Sequence, residues 1–203
     1  MISVLTGDII NSRKVEPKIW LNTLKKELNI LGTTPATWEI YRGDSFQIEI
    51  KEPETAIAFA IQLKVKIKLI KGLDTRLAIG IGDKTYSAKK VTESNGTAFV
   101  FSGELVEELK KNKINLAIRS ADEQFDKEIN LYLKLALITM NHWTANDCET
   151  IYAALTNPDK LQQELGETLG IKQNAVSSRL KRSRFEEISE LIAMFKHKIN
   201  GLK

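Results

Sequence analysis

Apolar and polar positions alternate most plainly between Thr37 and Ile50, TWEIYRGDSFQIEI. Two runs of period two flank Gly43-Asp44-Ser45, the pattern of a β-hairpin. A three-residue loop sets Arg42 opposite Phe46, Ile40 opposite Ile48 and Trp38 opposite Ile50. A two-residue loop would oppose Ile40 to Gln47 and mix the faces, so the hydrophobic match selects the register. Gly43 supplies the backbone freedom that such a loop needs. Asp44 stands at the tip, where a solvated turn aspartate is the plain reading.

The same reading runs along the rest of the chain. Met1 to Thr6 is a short apolar strand leading into Gly7-Asp8. A helix is predicted from Pro17 to Leu31, with Pro17 in a first helical position and Trp20, Leu24, Leu28 and Leu31 as its stripe. A second helix starts near Pro53. Its IQLKVKIKLI half alternates like a strand, but Ala56, Ala60 and the Ile57–Ile61–Val65–Leu69 spacing fit a helical period, and Gly72 supplies a stop. Thr75 to Ile81 is a strand, in which Gly80 and Gly82 imply close approach by something to the backbone. Residues 83–95 are loop-like, Gly96 to Lys111 is mostly helical, and Asn115 to Arg119 is a last short strand.

The first six elements spell β-α-β-β-α-β, the ferredoxin-like arrangement, within an α+β chain. In that topology the exit of strand 1 and the hairpin tip lie at one end of the sheet. Asp8 and Asp44 then face each other there. Two carboxylates repel unless a cation lies between them. A hard ion such as Mg²⁺ takes carboxylates together with phosphate oxygens. Asp8 and Asp44 are therefore the candidate metal pair, with Mg²⁺ or Mn²⁺ and a nucleotide as the implied ligands.

The C-terminal third changes character. A connecting helix over residues 121–142 can line one face with Phe125, Ile129, Leu133, Ala136 and Met140, with Leu135 and Ile138 beside them. It packs on the first domain or pairs with a copy of itself. Thr144 suits an N-cap, with Asp147 completing a capping box. Beyond it, KLQQELGETLGIKQNAVSSRLKRSRFEEI resembles the helix-turn-helix of bacterial regulators, including sigma-region-4-like and MarR-like variants, with two short helices joined by a turn at Gly170. Leu161, Leu165 and Leu169 face inward on the first, and Val176 and Leu180 on the second. Gln173, Asn174, Ser177, Ser178, Lys181 and Arg182 face out. Amides and hydroxyls there can read base edges while Lys and Arg hold phosphates. A helical hairpin with a solvated basic face is the alternative. The domains are then 1–120, the connector 121–142, and a helix-turn-helix DNA-binding domain over 143–203.

Composition narrows the chemistry. One cysteine in 203 residues, Cys148, excludes an internal disulfide framework and a zinc site built on several cysteines. Two histidines, His142 and His197, argue against a His-rich metal site; His142 and Cys148 read as local packing. No apolar run reaches the ~18–20 residues of a membrane span, and no signal-type segment leads the chain. The expectation is a cytoplasmic protein. Net charge is only +4, but Lys172, Arg179, Lys181, Arg182 and Arg184 crowd one segment with no acid among them, a local footprint for a polyanion.

VLTGDIINSRK, the hairpin YRGDSF and the strand RLAIGIGD resemble the palm domains of nucleotidyl cyclases and GGDEF-type proteins. The GDI-x-x-S-R start resembles the SatD-like family of small bacterial proteins. The likeness covers roughly residues 1–120. It implies that Asp8 and Asp44 hold metal, and that Ser12, Arg13 and Gly43 contact a nucleotide phosphate. Hydroxyl, guanidinium and a helix N-terminus suit an oxyanion. The Asn-x-x-x-Arg pair of the cyclases is incomplete: SNGTAFVFSGELVEEL has Asn95 but no Arg in register. The resemblance therefore implies a regulator that senses a nucleotide, or dimerises, through its first domain and binds DNA through its second. A degenerate cyclase or metal-dependent nucleotidyltransferase is the alternative.

Overall fold

The computed structural model describes residues 1–202. Its strands are β1 (Ile2–Ile10), β2 (Trp38–Tyr41), β3 (Ser45–Ile50), β4 (Asp74–Gly82) and β5 (Leu116–Arg119). Its helices are α1 (Pro17–Leu28), α2 (Ala56–Lys68), α3 (Thr97–Asn112), α4 (Glu123–Met140), α5 (Ala145–Thr156), α6 (Gln162–Leu169), α7 (Gln173–Arg182) and α8 (Phe185–Ile199). The strands form one mixed sheet in the order β2-β3-β1-β4-β5. β1 runs antiparallel to both β3 and β4, and β5 runs parallel to β4.

β1 lies in the centre and is covered on both faces. Its odd positions Leu5 and Ile9 join Phe46, Ile48, Leu77 and Ile79 in a core shared with α1 and α2. Its even positions face α3. Val4 packs with Ala98 and Phe99, and Thr6 Oγ1 donates to Ser102 Oγ at 3.0 Å. The two glycines of β4 make room for that helix. A Cβ on Gly80 would fall 2.1 Å from the Ala98 carbonyl oxygen, and one on Gly82 2.3 Å from Thr97 Oγ1. The close approach expected at these glycines is α3 itself.

Within the sheet, two sequence expectations shift. β1 does not stop at Thr6. Pairing on both sides carries it through Gly7 and Asp8 to Ile10, because a central strand gains two ladders of hydrogen bonds. The hairpin keeps a three-residue loop, but in another place. Trp38 pairs with Ile48, Ile40 with Phe46 and Tyr41 with Ser45, so the loop is Arg42-Gly43-Asp44. A slip of two leaves every side chain on its face, so alternation cannot detect it. Arg42 at φ 50° and Gly43 at φ 87° make the reversal.

The C-terminal helices do not fold away from the sheet. Ile129, Leu133 and Met140 of α4, Cys148 and Ile151 of α5, and Ile188 and Phe195 of α8 share one continuous core with Leu5, Phe46 and Ile57. Leu137, not Ala136, completes the inner stripe of α4. Leu161 is 71% exposed rather than inward, because α6 begins only after it. Asn130 of α4 closes the free edge of β5, donating to the Ile118 carbonyl at 2.9 Å and accepting its N–H at 2.8 Å. Among the described residues, no helix is long and apolar enough to cross a membrane.

Candidate functional site

Strand pairing brings Asp8 and Asp44 to one end of the sheet. Asp8 is the cross-strand neighbour of Ser45, and the Ile9 N–H donates to the Asp44 carbonyl at 3.2 Å. Their carboxylates then part. Asp8 shares the even face with Arg76, its neighbour on β4, whose Nη1 donates to both Asp8 oxygens at 3.0 Å. Lys110 of α3 stands 3.8 Å away. Burial pushes the Asp8 carboxyl above its ordinary value, against the pull of Arg76 and Lys110 and with a small push from Asp44. Asp44 belongs to the other face, where it accepts from the hydroxyl of buried Ser12.

These donors fit a resident Mg²⁺ or Mn²⁺ poorly. Arg76 already occupies both Asp8 oxygens and supplies the positive charge a cation would bring. Among the described residues, no group of three or more His, Cys, Asp or Glu side chains is gathered to hold a metal ion.

Asp44 lines a different feature, a groove of about 450 Å³ between the hairpin tip and the start of α1. Ser12, Arg13, Pro17, Trp20, Leu21, Arg42 and Gly43 form the rest of its walls. All three residues expected to contact a nucleotide, Ser12, Arg13 and Gly43, are thus brought together with Asp44, while Asp8 is not among them. Two exposed guanidiniums flank the groove, and among the described residues neither Arg13 nor Arg42 belongs to an ion pair. Trp20 is 3% exposed, and its indole nitrogen is itself buried, with no acceptor among the described residues, so the groove's open donors are the two guanidiniums. Donors outnumber acceptors here, which suits an anion. Sequence reading missed Arg42 because it stood as a strand residue, and Trp20 because it belonged to the core stripe. The turn signal of Gly43 was the clue to the first; nothing local marked the second.

The second candidate surface is α7. Gly170 ends α6 at φ 67°, and Gly166 lets the following turn pass so closely that a Cβ would meet the Ile171 carbonyl at 2.6 Å. Val176 is fully buried against Leu165, Ala153 and Ala154, with Leu169, Ile171 and Leu180 packed beside them. Gln173, Asn174, Ser177, Ser178, Lys181 and Arg182 are all exposed on the far side.

Acids from α5 and from the start of α8 neutralise part of this charge. Arg182 donates to Asp147 Oδ1 at 3.0 and 2.5 Å, Arg179 pairs with Glu149 at 3.2 Å, and Arg184 with Glu187 at 3.5 Å. Lys172 and Lys181 remain exposed, and among the described residues they have no acidic partner. Arg182 thus serves the packing of α7 on α5 as well as the outer face.

The comparisons with known proteins give one match. A family model described as the SatD family matches residues 2–188. No curated protein and no solved structure matches the chain. The match spans nearly the whole chain, the sheet and the C-terminal helices alike: the chain belongs to the SatD family.

Proposed function

We propose that this protein is a DNA-binding transcription regulator. In this reading the first 120 residues are a ferredoxin-like, palm-type domain, and α6 and α7 are a helix-turn-helix. The strand order β2-β3-β1-β4 supports the first assignment, with β5 added at the edge. The observation that carries the function is the outer face of α7. Six side chains with base-reading or phosphate-holding chemistry stand exposed on one short helix whose inner side is anchored by Val176. The groove at the hairpin tip supports the sensing half of the reading. Its two exposed arginines, Arg13 and Arg42, suit the phosphate of a nucleotide. Metal-dependent nucleotidyl transfer is less well supported, since it needs Asp8 released from Arg76.

Titration of a labelled random-sequence duplex by anisotropy, over a range of salt, tests the reading. Lys172→Ala with Lys181→Ala is expected to weaken binding uniformly and to lower the salt slope by about 2, near 0.9 per lost phosphate contact. Arg13→Ala with Arg42→Ala is expected to leave duplex binding alone and to abolish binding of nucleoside triphosphates. No duplex binding by the native chain at low salt would sink the proposal.

A further inference from the structure

α4 is apolar on two sides. Its inner stripe is buried, while Leu131, Leu135 and Ile138 on its outer side are 54%, 56% and 67% exposed. Their spacing of four and then three residues is that of a coiled-coil seam. Beside the seam lies an apolar groove of about 570 Å³ between α4 and α8, walled by Leu135, Ala136, Ile138, Leu191 and Met194.

We propose that this face is covered by a second copy of the chain, with the two α4 helices side by side and parallel about a twofold axis. Charge selects that arrangement. α8 runs antiparallel to α4, fixed at one end by Lys198 Nζ on Glu128 at 2.9 Å and at the other by Thr139 Oγ1 donating to the Ser183 carbonyl at 3.5 Å. Lys134 and Glu190 each stand midway between those two rungs. Both are exposed, and among the described residues neither belongs to an ion pair.

At 100° per residue, Lys134 lies on the flank of the seam away from α8. A twofold parallel to the helices turns that flank toward the α8 of the other copy, at the same height. Lys134 then meets Glu190 of the partner subunit, and the pair forms twice. An antiparallel twofold would instead set α8 beside α8 and lysine flank beside lysine flank. The parallel dimer also carries both α7 helices at the same end, since Trp143 and Thr139 hold Ser183, at the end of α7, to the C-terminal end of α4. Pairing through α4 is independent of DNA binding by α7.

Sedimentation of the full chain over a concentration series tests this, with circular dichroism to verify folding. The native chain is expected to dimerise and Leu135→Lys to be a folded monomer. Lys134→Glu and Glu190→Lys are each expected to weaken the dimer by about tenfold or more, since like charges then face each other, and the double variant to restore it. A native chain that stays monomeric at every concentration overturns the proposal, as does a dimer untouched by Leu135→Lys. Failure of the double variant to recover the dimer overturns the parallel arrangement.

Discussion

The Asp147 carboxylate accepts from the Thr144 N–H and hydroxyl at the start of α5 and from Arg182 at the end of α7. Burial by itself would raise its carboxyl, but the bonds from Thr144 and Arg182 outweigh that and hold it below the ordinary 3.8. A depressed folded value means stability that is present above the unfolded value and lost as pH falls through the folded one. Asp147→Asn is expected to cost about 1–2 kcal/mol at neutral pH and to lose less than the native chain between there and about pH 3. Thermal melts of both chains at several pH values measure this. An equal acid loss in both would place the titration elsewhere. The comparison between chains matters because Asp8 has the opposite sign: its raised carboxyl favours the native state below 3.8, and that contribution disappears as pH rises through its folded value. Cys148 takes no part, since burial pushes its thiol up to about 12 and keeps it protonated. The capping box of Thr144 and Asp147 was legible as a local signature. The clamp to Arg182 was not, because those residues are brought together by packing of α7 on α5.

At the scale of elements, the strands and helices follow the periodicity closely, and the departures share a cause. β1 outruns its predicted end because β3 and β4 pair with it on both sides. The hairpin takes a register two residues from the expected one, which preserves the same inward set of Trp38, Ile40, Phe46, Ile48 and Ile50. Local pattern identifies the face of a residue, not its partner. Gly80 offers a direct test of the contact between β4 and α3. Gly80→Ala places a methyl 2.1 Å from the Ala98 carbonyl oxygen and 2.5 Å from the Ser102 nitrogen, both backbone atoms. The strand or α3 must shift, at an expected cost of about 1–3 kcal/mol in urea unfolding. Gly103→Ala, on the same helix with nothing within 4 Å of its Cβ, is the control expected to be neutral or slightly stabilising.

Across the whole molecule, one hydrophobic core runs from β1 through α2 into α4, α5 and α8. A polar tie runs beside it. Buried Glu27 of α1 accepts from the Tyr152 hydroxyl of α5 and from Gln62 of α2, each at 3.0 Å, while Lys66 lies 4.0 Å over the Tyr152 ring. Burial and the neighbouring Glu27 push the Tyr152 hydroxyl up to about 12, so it remains a donor. Chemical unfolding is therefore expected as a single transition, coincident by far-ultraviolet dichroism and by fluorescence of Trp20, Trp38 and Trp143. Two separated transitions would make the sheet and the C-terminal helices independent units. Before any folding, the chain already specified its element order, the inward faces of the hairpin, of β4 and of most helices, and the outward residues of α7. Each of these depends on spacing between near neighbours or on the order of elements. The pairing of Asp8 with Arg76, the capture of Arg182 by Asp147 and the fusion of both halves into one core were decided only by tertiary structure. A charge takes whichever counter-charge the fold brings within reach, and an apolar stripe takes whichever surface lies opposite, and neither choice is written in the residues alongside.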